Sequence, residues 1–257
     1  MKQQVPNVRP LGIRQSLLLV LVPAIPAALL IHLLVPAIVR QSGMPFLYAY
    51  LPWWMGFEAL YLAAALVAYR LEGNPPAWAQ FAGRYRLRRI KGQDWLWLAA
   101  LLGTFALVAV GLAVWGVQLS SLPGLRVSAA FPAELNPGNP AGMIAGEFMG
   151  APLRGQWWIA AVYFMGWVLN ILGEELWFRG YMLPRQEAAY GKWAWGLHGL
   201  VWALHHIWQV WTLVLLLPYS FLWSYIIQRG RNTWIPMVVH GLANLVPLGV
   251  IVAGVMG

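Results

Sequence analysis

An all-α bundle of membrane-spanning helices is the fold class that the sequence predicts, and three observations carry it. The chain has 257 residues, of which 60% are hydrophobic and only 10% charged, whereas a soluble domain carries about a quarter charged residues. Several stretches hold about 20 mostly apolar residues in a row, the length that crosses a bilayer. Its 17 Trp and 10 Tyr suit a protein with many membrane–water interfaces, where amphipathic rings settle. A chain so poor in charge cannot cover a globular surface with polar groups, which excludes a soluble enzyme. Its apolar content excludes intrinsic disorder.

The elements follow in order. The first span runs from Ser16 to Val39 and is interrupted only by His32. Lys2, Arg9 and Arg14 precede it as in a signal peptide, but its length marks an uncleaved helix. Further spans are Phe46 to Tyr69, Trp95 to Val117, Gln156 to Leu183 and Trp234 to Met256. The stretch from Trp193 to Gln228 holds either two short spans or one span with a re-entrant piece, and Pro218 interrupts it. Basic residues flank these stretches: the N-terminal tail, Arg84 to Lys91, Arg185 with Lys192, and Arg229 with Arg231. If all four clusters are cytoplasmic, the stretch from Trp193 crosses twice. The expectation is about seven spans, six to eight at the limits, with the N-terminus inside and the C-terminus outside.

Two connections are long. Residues 70–94 place Trp78, Phe81, Tyr85 and Leu87 among arginines, which fits either an interfacial helix on anionic lipid or a solvated positive-inside loop. Residues 119–155, rich in Pro and Gly and including Asn136 to Pro140, read as an extracytoplasmic loop. The organisation is therefore residues 1–155, helices with two loops, and residues 156–257, helices that carry the chemistry, within one structural domain. Net charge is +9, but the basic residues lie at helix ends, so nucleic acid is not an expected partner. The chain has no Cys, which excludes disulfides, thiolate metal sites and cysteine nucleophiles.

Charged groups in hydrocarbon are expensive, so each one within a span is a candidate site residue. Glu174, Glu175, His198, His205, His206 and His240 all fall in the C-terminal half. In Asn170-Ile-Leu-Gly-Glu174-Glu175-Leu-Trp-Phe-Arg179, helical spacing puts Glu175 and Arg179 on one face as a neutralising pair. Glu174 lies about 100° around the helix, on the face of Asn170, free for chemistry. Next, Trp202-Ala-Leu-His205-His206 presents two imidazoles that point about 100° apart, so only one of them faces a given centre. His240 and Asn244, four apart, share a face. At 1.5 Å per residue, Glu174 (nine before Leu183) and His240 (six after Trp234) each lie roughly 9 to 14 Å below the interface. His206, counted from Trp193, would lie ~20 Å deep, so its helix is expected to start near Gly196 or Gly199. Glu58, mid-span, is either a cavity residue or a packed structural one. His32 and His198 are expected to be structural, and Trp193, Trp195, Trp208 and Trp211 to be interface anchors.

These three motifs, Glu-Glu-x-x-x-Arg, aromatic-x-x-x-His and His-x-x-x-Asn, together resemble the CPBP family of intramembrane proteases. That family includes the type II CAAX prenyl proteases and the bacteriocin-processing or immunity proteins. The likeness spans roughly Val168 to Leu245. By position, it implies Glu174, His206, His240 and Asn244 as catalytic residues and Glu175 with Arg179 in support. Trp202 stands where the family usually has Phe, which favours His206 but leaves His205 as the alternative if Val201 is the aligned position.

The implied activity is hydrolysis of a peptide bond in a hydrophobic, membrane-anchored or lipidated substrate, at a site opening towards the cytoplasm of a prokaryotic plasma membrane. Glu174 and a histidine would activate a water, and His240 with Asn244 would stabilise the oxyanion. Alternatively, Glu174, His206 and His240 would hold a divalent metal such as zinc, which accepts one Glu and two His; the sequence does not establish it. Two rival functions stay open, a non-cleaving peptide binder such as an immunity protein and a proton-coupled transporter. Against the transporter, no repeat pairs the two halves.

Overall fold

The computed structural model describes residues 8–123, 132–135 and 146–257. The protein is a helical bundle with one two-stranded hairpin among the described residues. Helix α1 (Ile13–Leu29) passes through a π-helical turn, Leu30–Leu34, into α2 (Val35–Ser42). Long helices α3 (Phe46–Leu71) and α5 (Asp94–Ser121) follow, with the short α4 (Trp78–Arg84) between them. Helix α6 (Trp157–Glu174) continues as a π-helix, Glu175–Met182, into α7 (Leu183–Tyr190). The chain ends with α8 (Ala194–His205), α9 (Leu213–Gly230), α10 (Trp234–Ala243) and α11 (Leu245–Met256).

Five helical runs are long and apolar enough to cross a membrane, or six when α10 and α11 count as one bent span. This makes the chain an integral membrane protein, and the upper count of six falls within the six to eight expected. The run Trp157–His205, 49 residues, folds back on itself at Gly191 (φ 55°). Its limbs are antiparallel, since Glu174 faces His205, Arg179 faces Trp202 and Gln186 faces His198. The return limb α8 has 12 residues, about 18 Å at 1.5 Å each, too short to span alone. Helices α8 and α9 are also antiparallel, Trp202 lying against Tyr219 and Trp223, and Trp195 against Phe221 and Tyr225. The break between them falls at 206–212, not at Pro218, which sits inside α9.

Both π stretches run into a proline. Pro36 and Pro184 occupy the first turns of α2 and α7. A proline has no N–H for the carbonyl four residues back, and its ring crowds that turn, so the helix widens there. Behind Pro184 the affected carbonyl is that of Gly180, and Arg84 Nη1 donates to it at 2.9 Å. A similar cause breaks the last span. Pro247 cannot donate to the Ala243 carbonyl, and the axis turns by 41° between α10 and α11, with Asn244 at the bend.

The basic connection 70–94 contains the short helix α4, exposed at Trp78 and packed on the bundle at its C-terminal end. Tyr85 and Arg84 are buried against the bundle, and Thr233 donates to the Tyr85 carbonyl. Three of its arginines are held in ion pairs: Arg84 with Glu72, which Arg185 of α7 also reaches, Arg86 with Glu187, and Arg88 with Asp94. Only Trp78 of the aromatic set stays largely exposed. Of the loop 119–155, Asn136 to Pro140 lie outside the described residues. Its end forms strands β1 (Glu147–Phe148) and β2 (Ala151–Pro152). They are joined by Met149 and Gly150, both at positive φ, as a tight hairpin turn requires. Phe148 and Leu153 are packed into the core. Among the expected anchors, Trp193 is exposed but Trp211 is buried against Ile31.

Helices α3 and α6 approach most closely at Gly173, where an added Cβ would lie 2.5 Å from the Glu58 carbonyl oxygen. Backbone cannot move aside as a side-chain tip can. Gly173→Ala is therefore expected to destabilise the detergent-purified protein by about 1–3 kcal/mol, the range of overpacking, read as a lower midpoint of thermal unfolding.

Glu72 yields a pH prediction. Burial opposes its charge, but hydrogen bonds and positive charge from Arg84 and Arg185 outweigh that and hold its carboxyl below the ordinary value of 4.5. A group with a depressed folded value stabilises at pH above its unfolded value and loses that contribution as pH falls through the folded one. Thermal stability should therefore decline below about pH 4.5, and Glu72→Gln should flatten that part of the decline.

Candidate active site

The site is built where the α6 helix gives way to its π-helical continuation. Glu174 is the last residue of α6 and Glu175 the first of the π stretch, and both are buried. Arg179 Nη1 donates to Glu175 Oε1 at 3.0 Å with both side chains fully inaccessible. The guanidinium lies 4.5 Å from the centre of the Trp202 ring, a cation–π contact that favours a desolvated cation. His240 Nδ1 reaches the same Glu175 oxygen at 3.0 Å. A carboxylate only accepts, so Nδ1 carries the proton, and the remaining ring nitrogen is a lone pair in the neutral form or a second N–H in the charged form.

Glu174 belongs to a different network. Asn244 Nδ2 donates to Asn170 Oδ1 at 2.8 Å, and Asn170 Nδ2 donates to Glu174 Oε1 at 2.9 Å. His205 Nε2 stands 3.9 Å from the same Glu174 oxygen, and its Nδ1 is 3.1 Å from the Tyr61 hydroxyl. A cavity of about 310 Å³ is lined by Glu58, Tyr61, Asn170, Glu174, His205, His206, His240 and Asn244, with Trp54 and Trp167 among its apolar walls. Carboxylate, imidazole and carboxamide groups thus converge on one enclosed space. It can hold a water beside a base and offer donors to an oxygen that gains charge.

Sequence spacing and structure agree on much of this. The Glu175–Arg179 pair, the separate face of Glu174 with Asn170, and the common level of Glu174, His240 and Asn244 are all present. Both histidines of the pair line the cavity. His205 is the one within ion-pair distance of Glu174, while His206 lines the cavity with Nδ1 turned to the Trp202 carbonyl at 3.0 Å. The depth argument placed the start of this helix too late. Helix α8 begins at Ala194, and the levels match because the helical run after Glu174 continues to Tyr190, well past Leu183. Trp202 does not line the cavity; it packs on Arg179 and edge-on to His206. Glu58 is a cavity residue. His32 and His198 have packing partners, His32 Nε2 at the Trp208 carbonyl and His198 Nδ1 at Gln186. Tyr61 was not singled out from sequence, since a tyrosine in an aromatic-rich helix carries no distinguishing signal.

Among the described residues, no three His, Asp or Glu side chains are gathered closely enough to hold a metal ion. His206 and His240 each use Nδ1 for a protein contact, to the Trp202 carbonyl and to Glu175, and their Nε2 atoms carry no such contact. The chemistry derived below uses the side chains alone.

Residues 156–246 match the family model described as type II CAAX prenyl endopeptidase, Rce1-like. The matched stretch contains both glutamates, Arg179, the paired histidines, His240 and Asn244, and it extends the region in which the three motifs carried the resemblance. No curated protein and no solved structure matches the chain. Glu58 and Tyr61, which close the cavity from α3, lie outside the matched residues.

Removing Arg179 leaves Glu175 charged and buried with one partner fewer. Arg179→Ala is expected to destabilise the protein by about 3–5 kcal/mol, as for a broken buried ion pair. Arg179→Lys should recover part of that, because a point charge still faces Glu175 but the flat contact on Trp202 is lost. Chemical unfolding of the detergent-solubilised variants, compared with wild type, measures both.

Proposed function

We propose that the protein is an intramembrane endopeptidase that hydrolyses a peptide bond of a hydrophobic, membrane-anchored or lipidated substrate. The observation that carries this reading is the cavity in which Glu174 stands beside His205 and which His240 and Asn244 also line, within residues that match an endopeptidase family.

The chemistry follows from the donors and acceptors. Glu174 takes a proton from a water held between it and the histidines, and the water oxygen attacks the scissile carbonyl carbon. The carbonyl π electrons move to oxygen, and that oxyanion accepts hydrogen bonds. One comes from Asn244, whose amide has a second N–H beyond the one given to Asn170. The other comes from His240 in its charged form, which Glu175 supports from behind. Such donors are worth a few kcal/mol of barrier each. Collapse of the intermediate breaks the C–N bond, and the proton on Glu174 passes to the leaving amine. His205 holds the water and Glu174 in register, while Tyr61 fixes the ring; His206 closes the same wall. Glu58 adds a second carboxyl group to the cavity.

The basic clusters at one end of the bundle support a cytoplasmic N-terminus and a site opening to that side. The test is a comparison of peptide termini in membranes that contain equal amounts of wild type or Glu174→Ala. Termini seen only with wild type are the expected result and would name the substrate. Identical sets of termini, with Glu174→Ala still folded, would sink the proposal and favour a non-cleaving peptide binder. A chelator added to the wild-type arm, followed by zinc, decides whether a divalent metal takes part.

A further inference from the structure

A second cavity, of about 400 Å³, lies at the arginine-rich end of the bundle, where α3 ends and α7 begins. It is lined by three guanidinium groups, Arg9, Arg84 and Arg185, and by one carboxylate, Glu72, which leaves a surplus of positive charge. The donors are not equally committed. Arg84 gives Nε and Nη2 to Glu72 and Nη1 to the Gly180 carbonyl, so its hydrogen-bonding edge is used. Arg185 gives Nη1 to Glu72, while its Nε is buried with no hydrogen-bond partner. Arg9 is in no ion pair among the described residues. A buried guanidinium N–H without an acceptor is costly, and Arg9 faces the same space with its full charge.

We propose that this cavity binds a phosphate group, with Arg185 and Arg9 as its ligands, and that the phosphate is the headgroup of an anionic membrane lipid. Guanidinium forks match phosphate oxygens. The lipid source is favoured by the surroundings: Leu71, 83% exposed, lies on the cavity wall, and Val67 and Leu60 continue outward along the exposed flank of α3. A headgroup in the cavity would leave its chains against that apolar flank. The cavity also touches the proposed active site through the backbone. Tyr181 lines it and stacks on Trp177, and Arg84 grips Gly180; all three belong to the π stretch that begins at Glu175 and carries Arg179. An anion here would tighten the segment that holds the buried ion pair.

The experiment uses the full chain in nanodiscs of phosphatidylcholine with and without phosphatidylglycerol. Native mass spectrometry reads the retained lipid, and thermal unfolding reads the stabilisation. Phosphatidylglycerol should be retained in preference to phosphatidylcholine and should raise the unfolding midpoint. Loss of one charged donor weakens such binding about tenfold. Arg9→Gln, at an exposed side chain with no ion-pair partner among the described residues, should show that loss, and Arg185→Gln should deepen it. Glu174→Ala should retain the lipid like wild type, which keeps this inference separate from the proposed proteolysis. Inorganic phosphate in detergent is the second arm. If it stabilises as strongly while no lipid is preferred, the site stands but its ligand is free phosphate. Equal retention of both lipids with no effect of phosphate, or unchanged retention in Arg9→Gln and Arg185→Gln, overturns the proposal.

Discussion

Arg179 is a guanidinium buried in the interior of a membrane protein, and its two main contacts set the arrangement of everything near it. Its charge is met by Glu175 in the same helical turn, and its flat face by the Trp202 ring. Those two contacts bind the π-helical stretch to α8. Because Trp202 is three residues before His205, the contact also delivers the histidine to Glu174. His240 shares the Glu175 carboxylate, so α10 is drawn to the same point. One charge in a low-dielectric interior thus fixes three helices, since breaking any of these contacts leaves a buried ion uncompensated.

Proline and arginine cooperate at a second level. A proline at the start of a helix frees a carbonyl in the turn before it, and a free carbonyl needs a donor. Arg84 supplies that donor at Gly180, which anchors the basic connection to the helix that carries the glutamates. The arginines of this connection therefore bind α3, α4 and α7 together through Glu72 and Glu187.

The sequence discloses the chemistry of this protein more readily than its geometry. Glutamate, histidine and asparagine are rare in apolar helices, so Glu174, Glu175, His240 and Asn244 stand out on cost alone. Regular spacing was enough to pair Glu175 with Arg179. What spacing could not reveal is where the helices cease to be regular. The turn at Gly191 lies beyond α7, whose Pro184, Arg185, Gln186 and Glu187 look like a loop in sequence but continue the helix, and the widened turns before Pro36 and Pro184 change which side chains align. The choice between His205 and His206 depends on a rotation of that kind. Tyr61 and the bridging role of Asn170 arise from contacts between helices far apart in sequence. The ion pairs of the basic connection are hidden for a related reason, because their acidic partners Glu187 and Asp94 lie on other elements of the chain.

Two helices stop at the cavity when they could have passed it. Helix α8 ends at His205, and α11 starts at Leu245, directly after Asn244. A helix terminus carries a partial charge from its aligned peptides, negative where it finishes and positive where it begins. The α8 terminus consequently sets partial negative charge beside the paired imidazoles. The first amides of α11, whose N–H groups have no carbonyl in their own helix, favour negative charge beside Asn244. The interruptions polarise the interior of the bundle without adding a single ionised residue to it.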